Sequence, residues 1–292
     1  MAGIREYREL TVAVRDSESE VGECPVFDSR TGRLAWVDSY GCRIYEGDPS
    51  AGTHTVTDVD AMVAAVAPRA DRDGFVAAVA DGFGFIVDGK LDLVDEVLPE
   101  QRLRMNGAKV DSRGRFWAGS NDLALEPGRG RLHRWDGEAP SVVVAAGLVL
   151  PDGIGWDADD TTMYLADSYV GLVYAAPFHA ETGDIGRLDA LIDVEGPGVP
   201  DGLSVDVDGC VWVAMHGGGQ VRRYDPAGRL VGVVPLPVCQ PSGCAFGVDG
   251  RLYITSARTG LTAEELAQQP LSGSVFAVET DTTGVDVSPF RA

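Results

Sequence analysis

Short apolar runs recur along this chain at nearly even intervals, each preceded by a turn rich in Asp and Gly. The runs are Leu34–Val37, Phe75–Val79, Arg115–Ala118, Met163–Ala166, Val211–Ala214 and Leu252–Thr255. The turns before them are Asp28–Gly32, Asp71–Gly74, Asp111–Gly114, Asp157–Asp160, Asp206–Gly209 and Gly247–Gly250. With the last residue of each turn as marker, the spacings are 42, 40, 46, 49 and 41 residues. A period of this length is the signature of a repeat architecture.

The apolar runs are rich in aromatic and β-branched residues, which favours strands. Asp bonds its own backbone and Gly accepts positive φ, so each turn closes a hairpin. A third strand follows in Arg131–Asp136 and Gly219–Asp225, and a fourth in Ser141–Ala145 and Leu230–Val234. Only Thr262–Gln269 reads as a helix. Four strands in each of six repeats predict an all-β chain folded as a six-bladed β-propeller. The uninterrupted repeats predict one domain over 1–292. A strand at Glu9–Val14 is expected to complete the last blade beside Ser274–Glu279, which removes an open seam.

Hairpins in the same repeat phase put equivalent residues at one mouth of the central channel. Five positions before each turn stand Glu23, Val66, Asn106, Asp152, Asp201 and Ser242. The ends of the second strands form an outer ring on the same face: Asp38–Tyr40, Asp81, Ser120–Asp122, Asp167–Tyr169, His216 and Ser256–Arg258. Glu23, Asp152 and Asp201 offer carboxylates and Asn106 an amide oxygen, a donor set for a hard divalent cation. Ca2+ is expected, with Zn2+, Mn2+ and Mg2+ also admissible. Pro-Asp-Gly is also a turn signature, so Asp152 and Asp201 taken singly read as turn residues. Glu23 lies in no such turn, and its shared phase favours a common site.

The net charge is 24 − 45 = −21, which disfavours nucleic acid and anionic membranes as partners. A small-molecule substrate is expected instead, with the protein a monomer or weak homo-oligomer. The cysteines at 24, 42, 210, 239 and 244 form no CxxC pair and read as reduced thiols. Residues 1–10 carry no apolar signal core, and the apolar stretch Ala61–Ala67 is too short to span a bilayer. A cytoplasmic protein is the expectation.

Several segments resemble the SMP-30/gluconolactonase/LRE-like (regucalcin-like) family: Gly22–Asp28 with Leu34–Asp38, Arg104–Asn106 with Lys109–Gly119, Pro200–Gly202, Val221–Pro226 and Leu252–Ala257. The resemblance runs from about residue 12 to 280. It implies a six-bladed propeller with one divalent cation in its channel and hydrolysis of sugar lactones or related esters. By position it implies Glu23 and Asp201 as metal ligands and Asp201 as general base. Asp152 stands where the family usually has a ligand asparagine, and so is a candidate for both metal and acid–base roles. Arg104 and Asn106 match residues that hold the substrate. Asn121 and His216 complete the candidate substrate-binding set, with His216 placed to donate to a leaving alkoxide.

The chain departs from the family at four places: the carboxylate at 152, Gly107 in place of an aspartate, the loop Ser120–Glu126, and His216. The reading is metal-assisted hydrolysis of a lactone or small ester. A metal-dependent isomerase or cyclase, a phosphotriesterase-type enzyme, and a non-catalytic calcium-binding propeller with Tyr40, Tyr169 and Arg258 as surface anchors remain alternatives.

Overall fold

The computed structural model describes residues 3–15, 17–98, 102–138 and 140–291. Six sheets stand around a channel as the blades of a β-propeller. Their innermost strands are Gly22–Asp28, Val63–Pro68, Leu103–Val110, Pro151–Trp156, Val199–Val205 and Pro241–Phe246, here blades 1 to 6. Each continues outward through antiparallel hairpins, as in Arg33–Asp38, Arg43–Asp48 and Thr53–Asp58 of blade 1. The N-terminal segment serves two blades. Arg5–Glu6 adds a parallel edge to blade 5, and Leu10–Val14 pairs antiparallel with Val275–Glu279 of blade 6. Among the described residues the one α-helix is Ala263–Gln268, held by a capping box between Thr262 and Glu265.

Period-two alternation sends neighbouring side chains to opposite faces of a blade. In blade 3, Phe116 packs edge-on to Phe83 of blade 2, whereas Trp117 meets Trp156 and Phe178 of blade 4. The core therefore lies between the blades. The segment after blade 6 returns across the far mouth of the channel. Gly284 bridges Asp206 of blade 5, Val285 donates to Val205 O, and Phe290 docks beside Pro68 and stacks on Trp135. Among the described residues no helix is long and apolar enough to cross a membrane.

The repeat aspartates lock the hairpins. Asp206 accepts from the backbone N–H of Asp208 and Cys210, from Trp212 Nε1 at 2.9 Å and from Arg223 Nε at 2.9 Å. Asp111 repeats the device with Arg113 N, Arg115 N, Arg115 Nε and Trp117 Nε1. Asp206 is buried, so Asp206→Ala leaves an indole N–H without a partner and the Arg223 guanidinium with only the exposed Asp208 and Tyr7 Oη. We expect a loss of about 3–5 kcal/mol in urea unfolding. Asp157→Ala, which frees only exposed contacts around Thr161, should cost about 1 kcal/mol.

His133 lies buried between blades 2 and 3, its Nε2 2.8 Å from Ser120 Oγ. Burial, with Arg131 nearby, pushes its pKa down to about 4. The folded pKa is below the unfolded value, so the unfolded chain takes up the proton first. The penalty begins as pH falls below about 6.5 and is complete below about 4, on the order of 3 kcal/mol. His133→Gln should flatten this part of the pH–stability curve.

Candidate active site at the channel mouth

Every innermost strand breaks register near its start. The ladder skips Cys24–Pro25, Ala64, Asn106–Gly107, Asp152–Gly153, Asp201–Gly202 and Ser242. Bulges of this kind re-aim a side chain. Three polar candidates, Asn106, Asp152 and Asp201, sit in the bulges, and Glu23 is the last paired residue ahead of one. Counting five back from the blade 2 turn falls two residues short, because that turn is longer. The residue at the mouth is Ala64, and Val66 lies in the core.

The glycine after each bulge residue reflects crowding around the channel. A Cβ on Gly107 would lie 2.4 Å from Asp152 Oδ1, one on Gly153 would lie 2.4 Å from Asp201 O, one on Gly202 would lie 2.7 Å from Gly243 Cα, and one on Gly243 would lie 2.8 Å from Pro25 Cδ. Blades 3, 4, 5, 6 and 1 thus touch in sequence through positions with no room for a side chain.

The four polar side chains meet there. Asn106 Nδ2 donates to Asp152 Oδ2 at 2.9 Å and to Pro151 O at 3.3 Å. Asp152 and Asp201 interact as a hydrogen-bonded carboxyl pair. Ser39 Oγ donates to Glu23 Oε1. All three carboxyls are buried. Burial, then the charge of Asp152, raises Glu23 to about 7. Burial and the same neighbour raise Asp201 well above the usual carboxylate range, and burial raises Asp152. The Arg104 guanidinium opposes each of these shifts.

Two further candidates flank this group. Arg104 pairs across the ladder with Asn121, so both project from the same face of blade 3. Arg104 Nη1, Asn106 Oδ1 and Asn121 Oδ1 are buried without hydrogen-bond partners. His216 ends its strand opposite Val199, outward of Asp201, half-buried and with its pKa lowered by burial. The outer-ring aspartates are structural. Asp38 accepts from Glu20 N, Val21 N and Gly41 N, Asp167 from Val149 N and Leu150 N, and Asp122 from Ala124 N and Arg102.

Sequence reasoning passed over Lys109. Its Nζ donates to Leu203 O at 2.8 Å, linking blade 3 to blade 5 across the channel. It lines one small cavity with Asp152, Cys24 and Cys244, and burial lowers its pKa. A lone lysine between Ala108 and Val110 in an inner strand was the available signal.

Among the described residues no three His, Cys, Asp or Glu side chains stand as a metal-holding cluster. The carboxyls are turned instead into hydrogen bonds with Ser39, Asn106 and each other. Their chemistry nonetheless fits a hard cation. Three buried acids, two of them raised further by a neighbouring carboxylate, and an unpartnered amide oxygen have only the Arg104 guanidinium as counter-charge.

Residues 21–258 match the SMP-30/Gluconolactonase/LRE-like region. The chain belongs to that family. It is 33% identical over 274 residues to 6-deoxy-6-sulfogluconolactonase of Pseudomonas putida, covering 91% of this chain and 93% of the relative. It is 32% identical over 286 residues to L-arabinolactonase of Azospirillum brasilense, covering 94% and 93%. The crystal structure of a calcium-binding protein, regucalcin, from Agrobacterium tumefaciens superposes with a TM-score of 0.89 at 26% identity, covering 99% of both chains.

The Gly107 contact ties two of this chain's departures together: the carboxylate at 152 occupies space that a side chain at 107 would need. Gly107→Asp should displace Asp152 and lower lactone turnover at least about ten-fold, since a small misplacement in a site costs that much or more. Gly107→Asp combined with Asp152→Asn should recover part of the loss. Turnover and melting temperature of the single and double variants beside the unaltered protein check the coupling.

Proposed function

We propose that this protein is a divalent-cation-dependent lactonase that opens a sugar-type lactone or a related small ester. The observation that carries the reading is the buried group of Glu23, Asp152 and Asp201 beside Asn106 and Arg104, in a chain whose relatives include two named lactonases. Glu23, Asp152 and Asp201 would hold the cation, with Asn106 Oδ1 a further oxygen donor. A calcium-binding structural relative supports Ca2+ as the first choice. When bound, the cation supplies charge that polarises a carbonyl oxygen and offsets the anion that develops on it.

The chain's own residues supply the rest. With the cation's charge keeping it as a carboxylate, Asp201 would accept the proton of the attacking water, while Asp152 keeps the hydrogen bond from Asn106 that orients it. Arg104 offers an unpartnered Nη1 to substrate hydroxyl or carbonyl oxygens, and its planar fork suits paired oxygens. Asn121 Oδ1 accepts from a substrate hydroxyl. His216, kept neutral by burial, is placed to donate to the departing alkoxide.

Hydrolysis of γ- and δ-lactones by EDTA-stripped protein, with single cations added back, tests the proposal. Turnover should vanish on stripping and return with Ca2+ or another hard cation. Asp201→Asn should lose about 10²–10⁴-fold in kcat. Ca2+ at about a hundred times its Kd should stabilise the fold by about 2.7 kcal/mol, an effect that Glu23→Gln diminishes. Tight cation binding with no turnover on any lactone would overturn the enzymatic reading.

A further inference from the structure

Each acid-bearing strand at the mouth is held through a main-chain carbonyl close to its acid. Ser242 Oγ of blade 6 donates to Gly22 O, next to Glu23. Asn106 Nδ2 of blade 3 donates to Pro151 O, next to Asp152, at 3.3 Å. Lys109 Nζ of blade 3 donates to Leu203 O, two residues beyond Asp201, at 2.8 Å. In all three the donor is a side chain of a different blade. An innermost strand has a ladder partner on its outer side only, so its channel-facing carbonyls need partners from elsewhere.

The hold matters most where the ladder is interrupted. In blade 5, Pro200 pairs with Met215 and Leu203 with Val213, and Asp201 and Gly202 fall between these pairs. Glycine has wide backbone freedom, so the ladder alone leaves the direction of Asp201 open. The blade 4 backbone limits the bulge from one side: a Cβ on Gly153 would lie 2.4 Å from Asp201 O and 2.6 Å from Leu203 N. Lys109 fixes the following carbonyl from the channel.

Charge balance does not account for this lysine. Among the described residues no carboxylate pairs with it, and the cation that bears on Asp152 is Arg104. Space filling does not account for it either. Lys109 shares one small cavity with Asp152, Gly153 and Leu203, and an apolar chain of similar length would fill that space without the cost of taking an ammonium out of water. What remains is the bond it makes. Arg104 and Asn121, which would hold the substrate, project from the same blade as Lys109. The lysine thus ties the blade that carries the substrate to the blade that carries the base.

We propose that Lys109 is a positioning residue, whose bond to Leu203 O fixes the blade 5 bulge and so sets Asp201 against a substrate held by blade 3. This rests on the lactonase reading above. Lys109→Met and Lys109→Arg in the intact protein test it. Lys109→Met removes the donor and keeps the length. It should hold or raise the melting temperature, because an apolar chain replaces a buried charge. Its kcat on a lactone should fall about ten-fold, since a small misplacement of a reacting group slows the chemistry. KM should change little, because Arg104 and Asn121 stay in place. Lys109→Arg restores a donor and should recover part of kcat. Hydrogen exchange on cation-free protein reads the tie without metal or lactone: amides of Val199–Val205 should exchange faster in Lys109→Met, and those of Pro151–Trp156 should not. If the unaltered protein opens no lactone, the reading above fails and this inference with it. If it does, and Lys109→Met matches it in kcat or in exchange at Val199–Val205, the inference alone fails. It also fails if both variants lose melting temperature and turnover together, which marks a residue needed only for folding.

Discussion

The close approach of the innermost strands governs everything at the channel mouth. Six sheets can surround a channel this narrow only where the backbone of one blade abuts that of the next. At Gly107, Gly153, Gly202 and Gly243 the neighbouring blade occupies the space of a Cβ. Each of these glycines follows the residue aimed into the mouth. The same crowding that demands the glycine therefore brings Asn106, Asp152, Asp201 and Ser242 together. Overpacking a core costs free energy because nearby atoms have nowhere to go, and here the nearby atoms include the carboxyl of Asp152.

That convergence has an electrostatic cost. Burial alone favours the protonated form of a carboxyl, and a second carboxyl nearby favours it further. Glu23 and Asp201 carry both effects and Asp152 the first, with Arg104 as a partial counterweight. Hydrogen bonds from Ser39 and Asn106 stabilise the group as it stands. The inter-blade cores can bear such a cost, since the fully buried Trp36, Trp117 and Trp212 each fill a space between blades or within one and remove large apolar areas from water.

Much of this was legible in the sequence because it depends on period. The Asp-x-x-Gly turns fixed the hairpins, and the hairpins fixed the phase in which Glu23, Asn106, Asp152 and Asp201 fall together. The stretch Thr262–Gln269 was read as the one helix, and a helix forms there over Ala263–Gln268. What period alone did not disclose was local. The turn of blade 2 is longer than its counterparts, so counting back from it placed Val66 at the mouth where the strand presents Ala64. Strand-end position put Asp38 and Asp167 in the outer ring, but not what they bond: both spend their two oxygens on backbone N–H groups of neighbouring loops, 17 or 18 residues away in sequence. Lys109 escaped notice because nothing local distinguishes a lysine that crosses the channel from one that reaches solvent.

The returning segment from Gly284 to Phe290 carries a kinetic consequence. Val285 and Val287 line the lower channel cavity, and Phe290 is sealed between blades 2 and 3. The returning segment thus covers part of the far mouth, on the side away from the carboxylates, and leaves the carboxylate mouth as the near doorway. A ring-opened hydroxy acid formed at that mouth has its shortest exit along the path its parent lactone used. Product that lingers there excludes the next molecule, so inhibition by product is competitive with substrate, and turnover at high conversion is set by clearance of the doorway.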